Sequence, residues 1–366
     1  LEKEFKNGLF IIFVFSLRYS ACMKKCIVFL FVVISSQLFS QIGGKSTFSV
    51  LDLGFSARSN ALGVDFITVK DGDVNLGVMN PSLYNELMNR SLSFNQAIMP
   101  SGISYGMLTY AAERKKLGTM AGHLRYIDYG KMDRLNEAGT KMGTFTPSEY
   151  ILGFGMGKQI NPLISVGANL NFIYSQLETY NALGVSVDLA GTYYVKKSNV
   201  LLTALVKNAG MQLNGYANKT KATLPTDFQL GFSHKLKHAP FRFSIVAHHL
   251  NKWNLTYVDP NLKPTVDALT GDTIPVKYAG FGEKLGNHFI FQVELLLTKS
   301  IHIRSAFDYH RRQELKVASD AGAAGFSFGL GLNFKRITID YGIIVNSKAG
   351  FTNSFTLRSD LRTWKK

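Results

Sequence analysis

From Ser91 to the C-terminus the chain keeps a period of two, and this alternation limits what it can fold into more than any other feature. Residues 324–334 show it best. Phe326, Phe328, Leu330, Leu332 and Phe334 fall on one face of an extended segment, and Gly325, Ser327, Gly329, Gly331 and Asn333 fall on the other. The same division separates Ile164, Val166, Ala168, Leu170, Phe172 and Tyr174 from Ser165, Gly167, Asn169, Asn171 and Ser175. It also separates Phe289, Phe291, Val293, Leu295 and Leu297 from Gln292 and Glu294. A soluble sandwich alternates too, so strand length decides. Many of these runs are as long as the ~9 to 11 residues that a tilted strand needs to cross a bilayer. The small and polar face then reads as a barrel lumen and the aliphatic and aromatic face as lipid contact.

Fourteen such runs can be marked: 91–98, 102–112, 117–130, 148–159, 163–178, 182–195, 199–213, 226–236, 240–250, 287–299, 301–313, 323–335, 336–345 and 353–362. An even number returns both ends of the barrel to the periplasmic side. Connections after the even-numbered strands are tight: Glu113–Lys116, Ile160–Pro162, Lys196–Ser198, Lys237–Ala239, Ser300 and Lys335–Arg336. Those after the third, seventh, ninth and eleventh are long, 251–286 most of all, and only the first outer turn, Met99–Ser101, breaks the pattern. The expected fold is all-β: a 14-stranded antiparallel transmembrane β-barrel over 91–366, which leaves no sheet edge unpaired.

Ahead of the strands, 41–90 reads as a small N-terminal plug enclosed by the barrel. Ser56 caps a short helix through Arg58 that Gly63 ends, VDFITV is a short strand, Asp71-Gly72-Asp73 turns the chain and Asn80-Pro81 turns it again. Residues 1–40 read as upstream sequence plus a signal peptide. Met23-Lys24-Lys25, the expected start, precedes an apolar core from Ile27 to Ile34, with cleavage between Ser40 and Gln41. The apolar stretches 9–17 and 27–34 fall short of the ~18 residues a spanning helix needs. Both cysteines, Cys22 and Cys26, precede that cleavage point, which excludes a disulfide scaffold and a thiol enzyme in the mature chain. After cleavage 36 basic residues remain against 23 acidic ones, a net charge of +13. Such an exported chain is expected to meet outer-membrane lipid head groups and lipopolysaccharide phosphates, and not nucleic acid.

Candidate chemical motifs mostly fail on spacing. Gly44-Lys45-Ser46 lacks the first glycine of a phosphate loop, since Phe39 stands there, and no strand precedes it. Asp71, Asp73 and Asn75 start a calcium-loop spacing, but Ser82 stands where Glu is required, so a turn is expected. His248-His249 lies at a strand end, where neighbouring side chains point to opposite faces, and is expected not to share a metal. Gly153, Gly155 and Gly157, like Gly329 and Gly331, read as small residues on a lumen face or as places where something packs close to the wall. Glu294, Asp308 and Asp340 are candidate lumen charges that Arg304 or Arg242 could pair. No nucleophile with its base, no paired carboxylates and no cofactor motif are visible, so the expectation is a non-catalytic protein without a cofactor. Tyr126, Tyr129, Trp253, Tyr257 and Tyr309 are candidates for interfacial girdles. Loop 251–286, with Pro260, Pro264 and Pro275, reads as a partner surface. The candidate contacts at that end are Trp253, Tyr257, Asp259, Pro260, Tyr278, Arg311 and Arg312.

The stretch GGKSTFSVLDLGFSARSNALGVDFITVKDGDVNLGVMNPSLY resembles the mature N-terminus of the PorQ family of type IX secretion proteins, relatives of PorV and of the FadL outer-membrane barrels. EYILGFGMGKQI, VGANLNFIYSQLETYNALGVSVDLAGTY, LGFSHKLKHAPFRFS, WNLTYVDP, VELLLTKS and RRQELK extend the resemblance over nearly the whole mature chain. It implies a fourteen-stranded barrel of FadL type whose plug contains Arg58, Gly63, Asp71, Asp73, Asn75, Asn80 and Pro81. Where the FadL group usually has Asn-Pro-Ala this chain has Asn-Pro-Ser. It further implies a place in a cell-surface attachment complex beside PorU- and PorV-like members, anchoring a PorZ-like surface protein through the outer loops. The competing expectation is a FadL-like transporter of hydrophobic molecules. The Gly, Ser, Asn and Thr residues of the lumen face speak against a greasy pocket, although Leu76, Val78 and Met79 could contribute to one.

Overall fold

The computed structural model describes residues 46–100, 102–216, 222–256, 264–266, 273–274, 276, 278–315, 322–347 and 350–364. The leader, its cleavage point, Lys45, Tyr257, Asp259 and Pro260 lie outside the described residues.

Strands β1 (Ser91–Ile98), β2 (Ser104–Arg114), β3 (Gly118–Asp128), β4 (Ser148–Gln159), β5 (Ile164–Leu177), β6 (Tyr180–Val195) and β7 (Val200–Asn214) form one half of the wall. The other half is β8 (Asp227–Lys235), β9 (Phe241–Ala247), β10 (Phe289–Leu295), β11 (Ile301–Asp308), β12 (Phe326–Asn333), β13 (Ile337–Ser347) and β14 (Gly350–Asp360). Each strand pairs antiparallel with its sequence neighbours, and β14 closes on β1 with Asp360 opposite Ser91. The result is the expected 14-stranded barrel. Its burial alternates as the sequence does: in β4, Tyr150, Leu152, Phe154 and Met156 are exposed while Glu149, Ile151, Gly153 and Gly155 are inward. A closed wall with an apolar outer band and every strand paired suits a bilayer, which offers no water to unpaired backbone. No helix among the described residues is long and apolar enough to cross a membrane.

One end of the barrel carries short connections, and the other carries most of the long ones. We call them the turn end and the loop end. Two loop-end connections are shorter than the sequence reading allows. Only Glu178 and Thr179 separate β5 from β6, with Glu178 at φ 55, and Ser347 pairs with Gly350 across the β13–β14 turn. The third connection instead carries its own hairpin, Met132–Leu135 against Lys141–Phe145.

At the loop end three strands stop or start inside the run their alternation marks. β9 stops at Ala247 because His249 adopts a left-handed backbone, φ 54, and β10 begins only at Phe289 after helix Phe281–Gly286. β11 stops at Asp308, whose carboxylate accepts from the Arg311 amide at 3.1 Å and starts helix Tyr309–Leu315. Tyr309 therefore belongs to a helix.

The plug occupies the lumen. Ser56 caps α1 (Ala57–Ala61), accepting from the Ser59 amide, and Gly63 follows at φ +79, as read from sequence. Two expectations fail here. Asp73 caps a second helix, α2 (Val74–Met79), where only a turn was expected, and VDFITV is not a strand. Inside a closed barrel that segment has no free strand to pair with, so side chains from the wall and plug satisfy its backbone instead. Gln292 donates to the Leu62 and Asp65 carbonyls at 2.7 and 2.9 Å, Ser233 to Thr68 at 2.6 Å, and Asn80 to Ile67 at 2.8 Å.

Candidate functional site

The lumen divides into two regions held by different physics. At the turn end, on the β9–β14 side, four guanidinium groups meet four carboxylates. Arg58 of α1 is 4% exposed. Its Nε and Nη2 reach the two oxygens of Glu294 at 3.0 and 3.3 Å, and its Nη1 reaches Asp71 at 2.7 Å and Asp73 at 3.4 Å. Glu294 also holds Arg242 at 2.5 Å and Arg304 at 3.2 Å, Arg304 holds Asp340 at 2.5 Å, and Arg358 holds Asp73 at 2.6 Å. Four positive and four negative charges balance, as buried ions must. The expected pairing of Glu294 and Asp340 with Arg304 and Arg242 is therefore present, and the plug joins it through Arg58. Asp308 stands apart, at the loop end, beside Arg311 at 3.8 Å. Burial alone would raise the Asp71 carboxyl, but the charges of Arg58, Arg242 and Arg358 outweigh it and hold it well below the ordinary carboxylate range. A basic recess of about 690 Å³, lined in part by Lys235, Lys299 and Arg336, lies under this network.

Neutral contacts complete the seal. Asn75 donates to Ser93 at 2.9 Å and accepts from Asn95 at 3.0 Å. Asn80 accepts from the Ser82 amide and hydroxyl, and that hydroxyl meets Thr192 at 2.6 Å. Wall glycines make the room: a Cβ on Gly155 would stand 2.5 Å from the Tyr84 ring, and one on Gly157 2.6 Å from the Tyr84 Cβ. Arg58, Asp71, Asp73, Asn75 and Asn80 thus lie in one packed unit through their side chains, and Gly63 sits against Ile290 and Ala306 of the wall. Pro81 joins it by seating its carbonyl against Gly157 and Gly167.

At the loop end, on the β1–β6 side, the lumen holds a cluster of apolar side chains, bordered by the Arg125 guanidinium over the Phe55 ring at 5.5 Å and by Glu149. Tyr105, Met107, Ile127, Ile151 and Ile173 point inward from four consecutive strands, β2 to β5, and enclose Phe48, Val50, Leu51 and Phe55 of the chain's own N-terminal segment. Phe55 meets Tyr105 edge to face at 5.4 Å between centroids. This chamber corrects the sequence expectation that the wall's inward face is small and polar and speaks against a greasy pocket. The signal was present as apolar residues on the inward register of β2 to β5, but they are few per strand and sit at strand ends. Val78 belongs to the chamber, Leu76 packs elsewhere in the plug with Leu62 and Phe66, and Met79 is buried outside both groups.

Of the candidate partner contacts, Trp253 and Tyr278 are exposed at the loop end, and the Trp253 ring centroid lies 5.5 Å from that of the exposed Phe281. Arg311 and Arg312 instead tie down the local chain: Arg311 faces Asp308, and Arg312 donates to the Gly322 and Ala324 carbonyls. Tyr126 and Tyr129 are half-buried, their hydroxyls bonded to Gln96 and Glu149, which leaves them poor girdle residues.

The largest departure concerns His248-His249. The left-handed His249 breaks the strand alternation, and both imidazoles turn to the Asp227 side, with ring centroids 4.7 Å apart. The sequence argument that neighbours face oppositely holds only while the strand continues, and here it has ended. His248 is 3% exposed with neither ring nitrogen bonded. A buried polar atom left in that state costs on the order of 1–3 kcal/mol.

No family model matches the chain, and no curated protein matches it. Among solved structures it is similar to the Ralstonia pickettii toluene transporter TbuX, at 12% identity and a TM-score of 0.49 over 85% of this chain and 99% of that one. It is also similar to the Pseudomonas putida toluene transporter TodX, at 11% identity and 0.47 over 85% and 98%. A Pseudomonas aeruginosa FadL homologue stands at 11% and 0.48 over 84% and 98%. These likenesses concern the barrel shape alone, and the fold itself rests on the strand pairing described above.

Proposed function

We propose that the protein is an outer-membrane barrel for hydrophobic small molecules, with its loop end outward and its turn end in the periplasm. The apolar chamber carries this reading. A lumen facing water needs no Ile151, Ile173 or Met107, whereas a site for an apolar guest does. The guest's place is held by the chain's own Phe48, Val50, Leu51 and Phe55. Phe48 alone among these four has a left-handed backbone. Its burial contributes roughly 1.5–3 kcal/mol, but its left-handed backbone at φ 58 costs roughly 1–2 kcal/mol. A fold likeness at a TM-score of 0.49 carries none of this. The test is saturable binding of N-phenyl-1-naphthylamine by the full chain in detergent. Phe48→Ala should strengthen it and Ile173→Asp should remove it. If neither substitution changes the titration, the chamber is only packing.

A second reading follows the sequence resemblance: a non-catalytic anchor in a type IX secretion attachment complex, holding a PorZ-like surface protein beside PorU- and PorV-like members, with lipopolysaccharide around it. Exposed Trp253, Tyr278 and Phe281 at the loop end favour it. Affinity purification from outer membranes separates the two. Bound lipid with no surface partner supports the first, and a PorZ-like partner lost on deleting 258–282 supports the second.

A further inference from the structure

We propose that Asp227, His248 and His249 form a site for a divalent transition-metal ion of the zinc and cobalt kind at the loop end of the barrel, with His310 as its fourth donor. One donor atom from each of the three residues lies within 4.8 Å of the others. Donors around a tetrahedral ion with bonds of ~2.1 Å stand about 3.4 Å apart, so small side-chain rotations close the set. His310, at the start of the helix that follows β11, stands 6.2 and 6.1 Å from the His248 and His249 rings, centroid to centroid.

The bonding pattern around these side chains points to a ligand. Both nitrogens of His248 are buried without a partner, and so is Nδ1 of His310. A buried imidazole ordinarily has both nitrogens engaged, and an ion takes one of them directly. The neighbouring His288 shows the contrast, with Nδ1 against the His248 carbonyl at 2.9 Å and Nε2 against the Trp253 carbonyl at 3.2 Å. The Asp227 carboxylate is already oriented: Gln229 donates to Oδ2 at 2.6 Å and the His249 amide to Oδ1 at 2.5 Å. Carboxylate ligands are commonly fixed by such outer bonds. Asp65 and Asp308, close by, are paired with Lys207 and Arg311, whereas Asp227 has only His249 as an ion-pair partner among the described residues. Three imidazoles and one carboxylate suit zinc, cobalt, nickel or copper better than calcium or magnesium, which favour all-oxygen sets. The His249 side chain is 30% exposed and opens the set to the loop-end solvent. Once bound, the ion would tie β8, the chain after β9 and the helix after β11 into one rim.

The test uses the full chain without a polyhistidine tag, stripped with chelator in detergent and titrated with Co²⁺, then competed with Zn²⁺. We expect one Co²⁺ per chain with visible ligand-field bands that one Zn²⁺ displaces. His248→Gln and His249→Gln should weaken binding on the order of 100-fold or more and His310→Gln about 10-fold or more. His238→Gln, at an exposed turn-end position, should change nothing. Migration as a compact barrel on an unheated gel shows that each variant is folded. Should His248→Gln not fold, the other two histidine variants carry the test. Absence of saturable binding in the parent, or bands unchanged in both His249→Gln and His310→Gln, overturns the site.

Discussion

Arg58→Ala removes the side chain that binds the plug's own acids and the barrel wall together. Its loss leaves Asp73 with Arg358 at 2.6 Å, and Glu294 with Arg242 at 2.5 Å and Arg304 at 3.2 Å. The uncompensated charge therefore falls on Asp71, whose side chain is 35% exposed toward the turn-end recess and can be hydrated there. Removing one partner of a buried ion pair costs roughly 3–5 kcal/mol, and these surviving contacts place the expected loss near the lower end, about 3 kcal/mol. Arg58→Lys keeps the charge but cannot reach both Glu294 oxygens as the Nε and Nη2 pair does, so it should fall between parent and alanine variant. Urea unfolding of the barrel in micelles gives the free energy, and tryptic cleavage after Lys70 reports on release of the plug. An alanine variant within about 0.5 kcal/mol of the parent, a spread typical of surface substitutions, or full restoration by lysine, would refute the network as the anchor.

Phe328→Lys puts a charge on the lipid face and should cost on the order of 2–4 kcal/mol at mid-membrane. Ser327→Lys should be no milder, because Ser327 is fully buried, and equal damage in the unfolding assay is the expected result. Gly155→Val drives methyl groups into Tyr84 and should cost roughly 1–3 kcal/mol by overpacking, whereas Gly122→Val, with open space at its Cβ, should be nearly silent; an equal loss from both contradicts the plug's seating. Asp71 is depressed by its arginines, and Asp65, which burial alone would raise, is brought down to about 2 chiefly by Lys207. Both contributions are complete above about pH 4, the ordinary aspartate value, and are lost as pH falls through the lower folded values. The urea midpoint should therefore not respond to these carboxylates between neutrality and about pH 5, and should fall only in stronger acid.

The wall was legible because its physics is local. Alternation over each strand fixes which face meets lipid, and that face was read correctly at Phe328, Phe172 and Phe291. The lumen face was legible as small and polar, but not as occupied, since nothing in Ser327 says whether water or a plug lies opposite. Only in a water-filled lumen would Ser327→Lys be mild. The plug's course was less readable still. VDFITV alternates like a strand, yet its hydrogen bonds come from Gln292, Ser233 and Asn80, residues up to 227 positions away along the chain. The histidine cluster was missed for a related reason: a single positive φ at His249 reverses the facing rule, and a non-glycine residue gives little warning of it.

The two halves of the lumen answer to different perturbations, and this bears on how the barrel could open. The ionic half at the turn end holds α1 through Arg58 and holds Asp71 and Asp73 beside the entry to α2, so anything that moves the plug as a body must break it. The apolar half at the loop end holds Phe48, Val50, Leu51 and Phe55, none of which takes part in that network. Leu53, between them in sequence, is only partly buried, and the segment's attachments include the Thr47 amide to the Thr223 carbonyl at 2.9 Å, Asn208 to Asp52 at 3.3 Å, the Arg125 guanidinium over Phe55, and side-chain bonds of Thr47 and Ser49 to Tyr216 and Tyr129, none of them to Arg58. Residues 46–55 can therefore leave the chamber without disturbing Arg58. An apolar guest would compete with four side chains rather than with a plug, and Arg58→Ala should leave its binding unchanged while Phe48→Ala alters it.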